Sequence, residues 1–310
     1  MKDEIANQRR SCKLRFMELQ LIQLYSWICL IYDKHPSLKY QRLSNNWQPK
    51  FTDQELITVY VFGQLQGHFK QNRIHQYIVQ HFRDWFPDLP TYETFNYRLN
   101  NLVESLQVIV YELFEQIDGS GKYHFEEDCL IDSMPIMLAV RGRAYRARVA
   151  REEANQSYCS TKEIWYHGVK LHLVARKQNR SLPKPEILKI TAAAEHDLRV
   201  LQELEGHING NIFADKAYKD QETERRFSEQ GVIICTPDKK KKNQEVYEVG
   251  HSGLWSRFVS AIRQPIESLF NWINEKTEIQ DGSKIRSSNG LLVHCYGKLA
   301  VAFFSLCFNY

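Results

Sequence analysis

Two of the most apolar runs in this chain, CLIDSMPI around Asp132 and NIFADKAY around Asp215, each carry a carboxylate where a buried strand ordinarily excludes one. Moving such a group out of water costs several kcal/mol unless a hydrogen bond, a counter-charge or a metal compensates. A third acid, Glu267, stands in the amphipathic stretch RQPIESLFNWI. The fold must therefore give three unlike acids a compensating environment. If it brings them together, a shared cation relieves their repulsion.

The spacing of apolar residues divides the chain. Up to about residue 125 it is helical, over 14–33, over a segment opened by Thr52 with Glu55 three residues on as a capping box, over RIHQYIVQHF and over TYETFNYRLNNLVESLQVIVYELFEQI. Pro90 and Thr91 open a helix that offers Tyr92, Asn96, Arg98 and Asn100 either to solvent or to a DNA groove. After Gly119, Ser120 and Gly121 the pattern predicts strands near 128–133, 167–176, 186–194, 211–215 and 232–236, with helices near 197–205, 220–230, 253–277 and 291–308. Consecutive strands followed by strand–helix alternation describe an α+β fold, a mixed sheet covered by helices behind an all-α N-terminal domain. The expected division is 1–125 and 126–310. The run Leu19–Tyr32 is too short to span a bilayer and reads as a core helix.

A length of 310 residues with 43% hydrophobic content is enough for a large core, and a formal charge of +4 does not by itself call for a polyanionic partner. The distribution of charge says more. RGRAYRARVAR holds Arg141, Arg143, Arg146, Arg148 and Arg151 around Tyr145, and Lys239–Lys242 form a second cluster. Guanidinium groups bind phosphates bidentately, so the arginine run is a DNA-facing candidate, with a solvated loop as its alternative. The seven cysteines are dispersed, without CxxC spacing, as expected of reduced thiols in a cytoplasmic protein with no zinc site. The start MKDEIANQRR does not read as a secretory signal, and no glycine-rich nucleotide motif occurs.

Each acid has a plainer reading too: Asp132 as a turn former, Asp215 paired with Lys216 or Lys219, Glu267 paired with Arg263. Lys170 and His172 alternate with Gly168 on one face of HGVKLHLV, which places them either near the acids and a phosphate or in packing. Asp197, after His196, is expected to cap the helix that follows, with a role behind the metal ligands as the alternative. Pro265 either starts the Glu267 helix or kinks a longer one beginning near Ser252. Hard oxygen ligands suit Mg²⁺ or Mn²⁺, and a pair of such ions serves phosphoryl transfer.

The motifs LIDSMPI, YHGVKLHLV, TAAAEHDLRVL, NIFADKAY and RQPIESLFNWI, in that order across 126–310, resemble the DDE transposases of bacterial insertion sequences of the IS4-like and IS982-like type. The resemblance implies an RNase H-like catalytic domain in which Asp132, Asp215 and Glu267 bind two Mg²⁺ ions, with Mn²⁺ as a substitute. Arg263 matches the basic residue of the family's Y-R-E-K signature, whereas Ser260 and Asn274 stand where its Tyr and Lys would be, with Lys276 close by. The candidate DNA contacts are Arg141, Arg143, Arg146, Arg148, Lys170, His172, Arg263 and Lys276. The activity implied is cleavage at the element ends and strand transfer into target DNA. The partners implied are double-stranded DNA, as terminal inverted repeats bound by the N-terminal helices and as target, and a second copy in a synaptic homodimer. A nuclease without strand transfer and a non-catalytic DNA-binding derivative are the other readings.

Overall fold

The computed structural model describes residues 2–40, 49–118, 128–238 and 246–308, and the Lys239–Lys242 cluster lies outside them. In chain order the helices α1 (Lys2–Lys34), α2 (Asp53–Leu65), α3 (Gln71–His81), α4 (Tyr92–Leu99) and α5 (Val103–Asp118) come first. Then follow β1 (Cys129–Val140), β2 (Asn155–Cys159), β3 (Ile164–Arg176), β4 (Lys184–Ala192), α6 (Asp197–Glu203), β5 (Asn211–Phe213), α7 (Gln221–Glu229) and β6 (Ile233–Cys235). The helices α8 (Val246–Thr277) and α9 (Ser288–Phe308) complete the described chain. Two units result: Met1–Leu113 with Lys276–Glu278 and Leu292–Tyr310, and Phe114–Glu275 with Ile279–Leu291. The expected boundary at 125 thus moves to 113, and most of the last helix leaves the sheet domain for the helical one.

The helical unit is built around two strongly buried helices. At the start of α2, Thr52 accepts from the Glu55 amide at 3.2 Å while the Glu55 carboxylate accepts from the Thr52 amide at 2.6 Å, the expected capping box. Such a cap contributes about 1 kcal/mol. Leu56 to Gln64 are buried without a break, so α2 has neighbours on every side. One neighbour is α9, which is long and apolar enough to cross a membrane by composition, yet is 67% buried inside the protein. A Cβ on Gly297 would lie 2.5 Å from the Tyr60 ring, which shows how closely these helices approach. Trp27 meets Phe304 edge-on with centroids 5.9 Å apart. The periodic stretch after Thr91 forms α4 and α5 rather than one helix. Arg98 does not face a groove: it pairs with Asp53 at 2.9 Å, donates to the Phe51 carbonyl at 2.7 Å, and its side chain is 13% exposed.

In the other unit β1 is the central strand. It runs antiparallel to β3 from Cys129↔Arg176 to Val140↔Tyr166 and parallel to β5, which in turn pairs in parallel with β6. The far edge of β3 is shared, by β2 along Ile164–Gly168 and by β4 along Val169–Arg176. The order β4–β3–β1–β5–β6, antiparallel on one side and parallel on the other, is the RNase H-like mixed sheet expected. Strand β2 escaped the sequence reading because NQSYC is short, polar and without alternation. Beneath one face, Cys129, Ile131, Val174, Leu201, Ile212 and Phe227 form a core with α6 and α7. Alternation turns Asp132 to the opposite face, which α8 covers.

Candidate active site

Asp132 is the fourth residue of β1. Its Oδ1 accepts from the Ser133 amide at 2.9 Å and its Oδ2 from Arg263 Nη1 at 2.5 Å. Burial pushes its pKa up to about 6 against the pull of Arg263 and the Ser133 amide, and the charges of Asp215 and Glu267 push the same way as burial. Those last two contributions put Asp215 and Glu267 each within electrostatic reach of Asp132. The parallel register explains why: Leu130 pairs with Phe213, and each aspartate stands two residues farther along its chain. Asp215 is extended and caps the short turn Lys216–Tyr218, its Oδ1 accepting from the Lys216 amide at 2.7 Å. Lys219, one of its expected partners, pairs instead with Asp238 at 2.8 Å.

Glu267 reaches the site from α8, which runs unbroken through Pro265. The proline removes the amide that would bond the Ala261 carbonyl but leaves the Arg263–Glu267 spacing helical, with Arg263 Nη2 at 2.7 Å from Glu267 Oε1. Arg263 therefore bridges Asp132 and Glu267. Its side chain is 15% exposed against 50% for Glu267.

Two buried polar atoms near these acids, Arg263 Nε and the Tyr218 hydroxyl, have no hydrogen-bond partner among the described residues. The Tyr218 phenol is pushed well above its usual pKa, by burial first and then by the Asp197 and Asp132 charges, against the pull of Arg263. The carboxylates of Asp132, Asp215 and Glu267, with a single guanidinium between two of them, are oxygen donors of the kind that suits a hard, hydrated divalent cation. Among the described residues, no three His, Cys, Asp or Glu side chains are gathered to hold an ion as they stand. Arg263 joins two of the three instead.

Lys170 and His172 need correction. They share the face of β3 that looks toward α6, with Ser133 and away from Asp132. Lys170 donates to the Glu195 carbonyl at 2.9 Å and to Asp197 at 3.0 Å, and Ser133 Oγ donates to the same Asp197 oxygen at 3.2 Å. His172 is 2% exposed, bonded through Nε2 to Thr191 Oγ1 at 2.8 Å, and burial lowers its pKa to about 4, so the ring is neutral and has no surface to offer a phosphate. Asp197 is the first residue of α6 rather than its cap, and its carboxylate turns toward the sheet. Sequence reasoning missed Ser133 and Tyr218 as neighbours of the acids, and gave Asp197 a role behind the metal ligands only as the alternative to capping. The only signal was their closeness in sequence to recognisable motifs. Arg141, Arg143, Arg146 and Arg148 are exposed, as is Lys276 in the last turn of α8. Asn274 is occupied with the Gln280 amide at 3.1 Å, so it does not replace the signature lysine.

An aspartate within the central strand, a second just after the parallel strand beside it and a glutamate on the helix over that face are arranged on an RNase H-like sheet. Residues 124–287 match the family model described as the transposase DDE domain. The match covers more than half of the chain, which therefore belongs to the DDE transposases. No curated protein and no solved structure gave a significant match.

Proposed function

We propose that the protein cuts DNA at the ends of a mobile element and joins those ends to target DNA by divalent-metal-dependent phosphoryl transfer. Asp132, Asp215 and Glu267 are the catalytic carboxylates in this reading. The observation that carries it is the Arg263 guanidinium held between Asp132 and Glu267 while Asp215 adds its own repulsion. Two of the acids thus share one positive charge, and Asp215 lies within electrostatic reach of the first of them.

The carboxylates would hold Mg²⁺, or Mn²⁺ in its place, and two such ions supply an activated water or hydroxyl and stabilise the leaving oxygen. The chain's own groups fix the geometry around that charge. The Ser133 amide holds one oxygen of Asp132, and the turn after β5 holds one oxygen of Asp215. Arg263, once released from the acids, is placed to take a phosphate, and the arginines after β1 follow the backbone farther away. The helical unit is assigned the terminal repeats. A homodimer is assigned the synapse, and the exposed Phe16, Leu19, Ile22 and Leu30 of α1 offer it an apolar stripe.

The test uses labelled DNA carrying the sequences that flank the gene, incubated with Mg²⁺ or Mn²⁺ and either the unaltered protein or Asp215→Ala. End-specific cutting with a joined product, lost in the variant, is expected. Indiscriminate cutting without joining would assign a nuclease, and binding without cutting a non-catalytic derivative.

A further inference from the structure

The face of β3 that lies over Asp132 carries a second group of residues that the proposed chemistry does not use. Tyr145, Tyr158 and Trp165 are exposed by 63%, 48% and 44%. Trp165 stands between the two tyrosines, its ring centroid 6.1 Å from that of Tyr145 and 5.5 Å from that of Tyr158. Tyr158 and Trp165 are direct partners across the β2–β3 ladder, which limits their freedom, and Tyr145 comes in from the helical turn Arg141–Arg146. Clustered aromatic rings left in water mark an interaction surface.

Two features bear on that surface, and the first says what it takes. The first is charge. Arg141, Arg143, Arg146, Arg148 and Arg151 are exposed and in no ion pair among the described residues, although Glu152 and Glu163 lie in the same stretch. Elsewhere Arg98, Arg176, Arg199, Arg225, Arg226 and Arg263 have a carboxylate partner, while Arg73, Arg83, Arg180, Arg257 and Arg286 have none among the described residues, so it is the gathering of five within eleven residues that sets the patch apart. The second is backbone strain. Arg141, Ala150 and Glu163 border the patch with φ of 56°, 49° and 51°, a left-handed conformation that costs a non-glycine residue about 1 kcal/mol. Alternation puts Trp165 on the same face as Leu173, the cross-strand partner of Asp132. The eight residue steps from one to the other span roughly 26 Å, about the length of eight nucleotides of a B-form strand.

Resting on the DNA reading above, we propose that Tyr145, Tyr158 and Trp165 form a stacking platform for an unpaired base of the bound DNA, with the arginines on the flanking phosphates. Aromatic faces take any base, because each base has a π-surface, so the platform selects for an unpaired strand rather than for a sequence.

Anisotropy of fluorescein-labelled DNA in EDTA tests this with the full-length protein. A blunt duplex is compared with the same duplex bearing a three-nucleotide single-stranded extension. The unaltered protein is expected to prefer the extended DNA. Trp165→Ala should lose roughly ten-fold on that DNA and less than about two-fold on the blunt one, the signature of one lost stacked base, while Trp165→Phe keeps most of the preference. Equal binding of the two DNAs by the unaltered protein would overturn the platform and leave the transposase reading standing. So would an equal loss on both in Trp165→Ala, or a change in its sedimentation with DNA binding unchanged, which would make the face a contact between copies. Binding of neither DNA by the unaltered protein would overturn both readings. Should Trp165→Ala not fold, photocross-linking from 5-iodouracil in the extension to one of the three rings reads the same contact in the unaltered protein, and its absence would overturn the proposal.

Discussion

Arg263 places one positive charge between Asp132 and Glu267, and Asp132, the more buried of the two, has no other charged partner for compensation among the described residues. Removing it leaves a mostly buried anion unpaired, so Arg263→Gln should lower the stability of the metal-free protein by about 2 kcal/mol in urea unfolding. The same substitution frees two oxygen ligands, so Mg²⁺ should raise the melting temperature of the variant at lower concentration than it does that of the unaltered protein. Identical Mg²⁺ midpoints would show that Arg263 does not compete for the acids. Glu112 supports a pH prediction in the helical unit. Burial alone would raise its pKa, but Lys34 at 2.7 Å and His35 at 2.6 Å bring it below the usual 4.5. A depressed carboxyl contributes stability that is fully present above the unfolded value and is lost as pH falls through the folded one. Glu112→Gln should therefore cost about 1 kcal/mol at pH 7 and nothing once the native carboxyl is protonated, well below pH 4.5. A gap that persists in acid would assign the loss to packing.

The elements show why some of the fold could be read in advance and some could not. Local chemistry was legible: the Thr52–Glu55 cap, the apolar strands around Asp132 and Asp215, and the helical spacing of Arg263 and Glu267 follow from neighbours in sequence. What depends on distant neighbours was not. The side of β3 on which His172 falls relative to Asp132 is set by the β1–β3 register, and the place of α9 is set by packing on α2, against Tyr60. Gly168 belongs to that second kind. It sits beside the β1 irregularity between Met137 and Ala139, and a Cβ there would lie 2.0 Å from the Ile136 carbonyl oxygen. Because the clash is with backbone, it cannot be relieved by a rotamer change. Gly168→Ala should cost about 3 kcal/mol, read as a fall in the urea midpoint with little change in slope. A loss below about 0.5 kcal/mol would mean that β3 shifts freely past the irregularity.

At the scale of the whole molecule, the sheet unit supplies the acids from three separate elements, the first third of β1, the turn after β5 and the second half of α8. Their relative positions are set by the parallel β1–β5 pairing and by the helix on the other face. If the three carboxylates work as one centre, their losses will not add, because each alone removes the same cation environment. The most direct measurement compares the rates of end cleavage by Asp132→Asn, Asp215→Asn, Glu267→Gln and the triple variant in Mg²⁺, with DNA binding followed in parallel. Each single variant should fall as far as the triple one, by at least about a thousand-fold, while binding DNA nearly as well as the unaltered protein. A single variant that keeps cutting at an appreciable fraction of the original rate would remove that residue from the centre and contradict the account.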